Sequence, residues 1–133
     1  MKKKADLVKE WLTKADHDLQ AAKSLLKAKE PLLDIIAFHC QQAVEKYLKG
    51  YMVYLDLAFT KTHEIGNLIA IIEEKDPEMI NLKERADTLT DYAVEIRYPE
   101  SYIMPSQEEI NQAIEIAYEI QTYVKSKTSE TTP

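Results

Sequence analysis

Between Pro31 and Asp56, the residues Leu33, Ile36, Ala37, Cys40, Val44, Tyr47, Leu48, Tyr51, Tyr54 and Leu55 recur at spacings of three and four. On a helix of 3.6 residues per turn they line one side, whereas a strand would scatter them over both faces. The segment therefore folds as a long helix with one buried side, and that side needs other helices of comparable length to cover it. Beside the stripe run His39, Gln41, Gln42, Glu45, Lys46 and Lys49, which line a site, cross an interface or solvate the outer face.

The rest of the chain supplies those partners. From Ala5 to Lys27, Val8, Leu12, Ala15, Leu19, Ala22 and Leu26 repeat the same spacing, and Pro31 bars any continuation. After an aperiodic loop at 57–61, Thr62 is placed to cap a short helix carrying Leu68, Ile69 and Ile72. Asp76-Pro77 reads as a cap followed by proline at the first helical position. It opens a fourth helix with Met79, Leu82, Ala86, Leu89, Ala93 and Ile96 inward, and Pro99 closes it. Ser106 and Glu109 have the spacing of a capping box and open a fifth helix through Ile110, Ala113, Ile114, Ala117, Ile120 and Val124. With only two glycines and no alternating strand pattern, the expected fold is all-α: an up-and-down antiparallel bundle of four long helices plus one short one. Residues 1–127 form one domain, and 128–133 read as a frayed polar tail.

Composition narrows the function classes. The longest unbroken apolar run, Leu68 to Ile72, is far short of the ~20 residues that span a bilayer, so no membrane association is expected. Lys2, Lys3 and Lys4 are followed by Asp6 and Glu10 where a signal peptide needs an apolar region, and the expected location is cytoplasmic. Net charge is −6, so any RNA or nucleotide site is a local basic patch. Gly50 and Gly66 cannot write a glycine-rich phosphate loop, and no histidine pairs with a second ligand at metal spacing; no cofactor is expected. Cys40 lies on the apolar stripe, and no base lies one helical turn away on that stripe, which argues against thiol catalysis.

An up-and-down path gathers Lys61, His63, Arg97, Tyr98 and Tyr102 at one end of the bundle. There the cations can hold a phosphate and a tyrosine can stack on a base, which makes these five the nucleotide- or RNA-binding candidates. Arg97 also suits the C-terminal end of a helix dipole, and Lys61 and His63 also read as solvated residues beside a capping threonine. His39 falls about 25 Å from Leu55 at 1.5 Å per residue, away from that end. His39, Gln41, Gln42, Glu45 and Lys46 are thus read as an interface or a buried polar network, with Glu45 and Lys49 also spaced as an ordinary ion pair. His17, between Asp16 and Asp18, reads as a surface histidine.

Four ordered blocks carry a resemblance: KEWLTKADHDLQAAKSLL, FHCQQAVEKYLKGYMVYLD, KTHEIGNLI, and YAVEIRYPE followed by SQEEINQAIEIA. Together, from about Val8 to Val124, they resemble the HEPN (higher eukaryotes and prokaryotes nucleotide-binding) domain. The resemblance implies an up-and-down helical bundle, often a homodimer. It also implies frequent partnership with a minimal nucleotidyltransferase in two-component or toxin–antitoxin modules, and nucleotide or RNA binding. Many HEPN members are metal-independent endoribonucleases with an Arg followed four to six residues later by His. Here Arg97 occupies the corresponding region, but Ser101, Tyr102 and Ile103 stand where that histidine falls, and no histidine follows His63. The expectation is a nucleotide- or RNA-binding module acting with a nucleotidyltransferase. The alternatives are an endoribonuclease using His63 and Arg97 as its catalytic candidates, and a non-catalytic dimeric adaptor.

Overall fold

Helix α2 (Leu33–Tyr54) lies at the centre of the fold, and its apolar stripe is buried as the periodicity requires: Ile36, Ala37, Cys40, Val44, Tyr47 and Leu48 have no exposed surface. The computed structural model describes residues 2–58, 61–95 and 104–129. Within them the other helices are α1 (Lys4–Leu26), α3 (Ile65–Ile72), α4 (Ile80–Asp87), α5 (Thr90–Glu95) and α6 (Gln107–Thr128), with a 3-10 turn at Pro77–Met79. No strand occurs among the described residues.

Helix α1 runs antiparallel to α2, as its side-chain pairs show: Lys4 reaches Asp56, Asp16 reaches Tyr47, and Asp18 reaches His39. On the other side α6 follows α2 in the same direction, with Gln121 on Tyr47 and Tyr123 on Tyr51. Helix α4 runs opposite to α6: Arg85 pairs with Glu119, and Glu78 with Lys127. The legs α1, α2, α4 and α6 thus alternate in direction, the expected up-and-down bundle. The capping box at Ser106 forms in both halves: Ser106 Oγ accepts from the Glu109 N–H, and Glu109 Oε1 accepts from the Ser106 N–H. Helix α6 runs past Lys125, and Thr128 is buried with its hydroxyl donating to the Val124 carbonyl.

Two features differ from the sequence expectation, and both shape the site. First, α2 ends in a paired turn in which the Asp56 N–H donates to the Val53 carbonyl and the Leu57 N–H to the Met52 carbonyl. Asp56 holds the left-handed conformation, φ 59°, that this turn requires and that glycine usually supplies. After this turn α3 begins beside the middle of α2, not beyond its end: the Gln41 side chain donates to the carbonyl of His63, two residues before Ile65. Second, the fourth leg is interrupted between Asp87 and Thr90 instead of running unbroken from Pro77 to Ile96. The polar side chains there serve α3. Asp87 Oδ1 accepts from the Gly66 N–H at 2.8 Å, Thr90 Oγ1 accepts from the Ile65 N–H at 3.0 Å, and Thr88 bonds back to the Arg85 carbonyl. These bonds satisfy α3's first-turn donors from outside its own segment. Thr62 bonds the Glu64 N–H, one residue before the helix.

Candidate functional site

His63, two residues before α3, sits on Glu45, about two and a half turns before the end of α2. Glu45 is buried, with 6% of its side chain exposed, while His63 is half exposed at 52%. Glu45 Oε1 meets His63 Nδ1 at 2.9 Å and accepts from Gln41 Nε2 at 3.1 Å; Oε2 accepts from Lys49 Nζ at 3.0 Å. The same Gln41 nitrogen donates to the His63 backbone carbonyl at 3.2 Å, tying the loop itself to α2. Gln42 then donates to Gln41 Oε1 at 2.7 Å, which fixes the orientation of the Gln41 amide. Burial pushes the Glu45 carboxyl up, but the hydrogen bonds from His63, Lys49 and Gln41 outweigh it and hold the group below its ordinary value. The result is a satisfied carboxylate, its charged form favoured, holding an imidazole at the surface.

This geometry revises the placement expected for the polar side of α2. Gln41 and Glu45 are not remote from His63; they are its support. Both are buried within the chain, in a polar network. Lys61, two residues before His63, is exposed. Arg97, Tyr98 and Tyr102 lie outside the described residues.

His39 and Lys46 form a second constellation on the α1 side. Asp18 Oδ1 meets His39 Nδ1 at 2.9 Å and Oδ2 accepts from Lys46 Nζ at 2.5 Å, with Phe38 edge-on to the imidazole. The two groups share one design: a carboxylate with a histidine on one oxygen and a lysine on the other.

Two further clusters escaped the sequence reading. Asp16 accepts from Tyr47, Gln121 and Lys125, joining α1, α2 and α6. Asp76 accepts from Tyr51 and Tyr123, each at 2.6 Å. Burial raises both carboxyls, and the hydrogen bonds to them, led by the tyrosine hydroxyls, lower them by more; the net position is below the ordinary value in each case. Tyr47 and Tyr51 belong to the apolar stripe of α2, so only the hydroxyl at the tip, facing an aspartate on another segment, signals the pairing. Both clusters are braces between helices. The Cys40 thiol is buried and pushed up to about 12 by desolvation, which leaves it without nucleophilic thiolate. Among the described residues no group of three or more His, Cys, Asp or Glu side chains is placed to hold a metal ion, and no helix is long and apolar enough to cross a membrane. A cleft of about 810 Å³ opens between α1 and the end of α6, lined by Lys4, Lys9, Leu12, Tyr54 and Lys125 among others; none of the sequence-predicted site residues lines it.

The fold and this network define an all-helical bundle protein that presents an imidazole on a buried carboxylate. The chain belongs to the HEPN family: the HEPN domain model matches residues 8–127. Among solved structures it is similar to TT1696 from Thermus thermophilus, with 28% identity over 90% of this chain and 97% of that one, at a TM-score of 0.77. It also has the fold of ST0689, described as an archaeal HEPN homologue, at 22% identity and TM-score 0.73 over 96% of this chain and 99% of that one. No curated protein matched.

Proposed function

We propose that the protein is a nucleotide- or RNA-binding HEPN module that acts as a homodimer in the cytoplasm with a nucleotidyltransferase partner, in a two-component or toxin–antitoxin arrangement. The observation that carries the binding role is the half-exposed His63 fixed on buried Glu45. A histidine with only a packing role has no need of a buried carboxylate, a lysine and two glutamines to hold it at the surface. Lys61 brings a cation within two residues, and Arg97 and the tyrosines Tyr98 and Tyr102 complete the binding set on this reading. Membership of a family named for nucleotide binding supports the ligand class.

Titration of labelled ATP and of a short single-stranded RNA against wild type, Lys61→Ala and Arg97→Ala tests the site. Wild-type binding that weakens in both variants is expected; equal binding by all three proteins, or none by any, counts against it. Co-purification with a small nucleotidyltransferase encoded beside this chain, with light scattering of each species, tests the partner and the dimer.

The Glu45–His63 pair also favours a second reading, a metal-independent endoribonuclease in which His63 moves the proton and Arg97 stabilises phosphoryl charge. An oriented imidazole with an open ring nitrogen is what general acid–base chemistry needs. RNA cleavage in the presence of EDTA, lost in His63→Gln, is the expected result. Cleavage that persists in that variant excludes His63 from the chemistry.

A further inference from the structure

The hydrogen bonds around Glu45 determine more than where His63 sits; they determine which ring nitrogen carries its proton. An ionised carboxylate can only accept, and the same Glu45 side chain already accepts from Lys49 and Gln41. The contact of 2.9 Å between Glu45 Oε1 and His63 Nδ1 is therefore a bond donated by Nδ1–H. Gln41 cannot supply the alternative, because its nitrogen is turned toward Glu45 and the His63 carbonyl while its oxygen is taken by Gln42. A neutral imidazole has one proton, so Nε2 is left with its lone pair. Among the described residues Nε2 has no hydrogen-bond partner, and half the side chain faces solvent.

We infer that neutral His63 is held with Nδ1 protonated and Nε2 as an acceptor, and that it recognises a hydroxyl of the ligand, the ribose hydroxyl of a nucleotide, while Lys61 serves the phosphate. The ligand class rests on the function proposed above; the tautomer does not. Glu45 is a positioning residue: it touches no ligand and acts by fixing the proton on the ring. This divides the labour within the candidate site. A neutral acceptor contributes nothing to an unprotonated phosphate oxygen, which needs a donor, but it pairs with a hydroxyl, which is a donor.

Two measurements test the two halves separately. The first is a long-range nitrogen–proton correlation spectrum of the whole protein at a pH where its histidines are neutral, with signals assigned from His17→Gln, His39→Gln and His63→Gln. His63 is expected to show the Nδ1–H pattern, and Glu45→Ala to shift it toward the mixture shown by exposed His17. His39, held by Asp18 in the same manner, is expected to match His63 in the wild type. A wild-type His63 spectrum with Nε2 protonated overturns the tautomer whatever the ligands do. The second is calorimetric titration with ATP and with 2′,3′-dideoxy-ATP. Wild type is expected to bind ATP about threefold to tenfold more tightly, the worth of one net hydrogen bond, and His63→Phe to bind both alike. Equal wild-type affinity for the two overturns the ribose assignment. Binding of neither overturns the nucleotide reading, and the ribose assignment with it, while the spectrum still decides the tautomer.

Discussion

Replacing Asp76 by Asn removes one buried charge from between the C-terminal parts of α2 and α6 while keeping its shape, and the structure sets the size of the effect. A single oxygen, Oδ2, accepts from Tyr51 on α2 and from Tyr123 on α6, each at 2.6 Å. Asp76 itself, at the entry to α4, is 8% exposed. Hydrogen bonds to a charged acceptor contribute about 1.5–3 kcal/mol each and neutral ones about 0.5–1.5. An amide oxygen in the same place keeps both bonds but loses about 1–1.5 kcal/mol from each. The expected destabilisation is therefore about 2–3 kcal/mol, or roughly 6–15 °C in Tm for a chain of this size.

The pH dependence gives the sharper test. Burial alone would raise the Asp76 carboxyl, but the Tyr123 and Tyr51 hydroxyls overcome it, so the folded value lies below the ordinary 3.8. Below 3.8 the unfolded chain binds the proton first, so the contribution is full well above that value and is lost as pH falls through the folded one. Asparagine has no such titration. Urea unfolding followed by circular dichroism at about pH 7, 5 and 3 should then give a gap between wild type and Asp76→Asn that is constant at the two higher values and smaller at the lowest. Other carboxyls titrate in both proteins and cancel in the difference. A variant as stable as wild type at neutral pH, or a gap unchanged in acid, would mean that the Asp76 charge does not strengthen the two tyrosine bonds.

Three further outcomes follow from particular residues. Asp56→Gly is expected to stabilise by about 0.5–1 kcal/mol in thermal unfolding, because glycine accepts the left-handed conformation that aspartate holds at a cost, and the Lys4 pair it loses is exposed. Cys40 is expected to resist a thiol reagent in the folded protein and to react on unfolding; fast reaction in native buffer contradicts its burial and its raised thiol. Gly66→Ala would put a methyl carbon 2.8 Å from the Asp87 carboxyl carbon and oxygen. It is expected to weaken the cap on α3, lower stability by about 1–2 kcal/mol and disturb the His63 signals; unaltered spectra would separate the loop from that cap.

The bundle was legible because burial and periodicity are local properties of a helix: Ile36, Cys40, Val44 and Tyr47 must share a side whatever covers them. The site was legible only in its members. Gln41, Glu45 and His63 each stand out in the sequence, yet the pair that matters is separated there, because residues 57–64 read as leaving from the end of α2. Asp56 adopts a conformation that the sequence marks by glycine far more often, and His63 lies about two and a half turns back along α2. The break at Thr88 has the same origin. Asp87 and Thr90 look like interior residues of one helix until Ile65 and Gly66, more than twenty positions earlier, present N–H groups that need acceptors. Helix periodicity reports which residues are inside, but polar groups are matched across the bundle, and their partners are fixed by chain reversals that carry little periodic signal. His63 belongs to that second category: it is a solvated loop histidine by its neighbours in sequence, and an oriented imidazole by its neighbours in space.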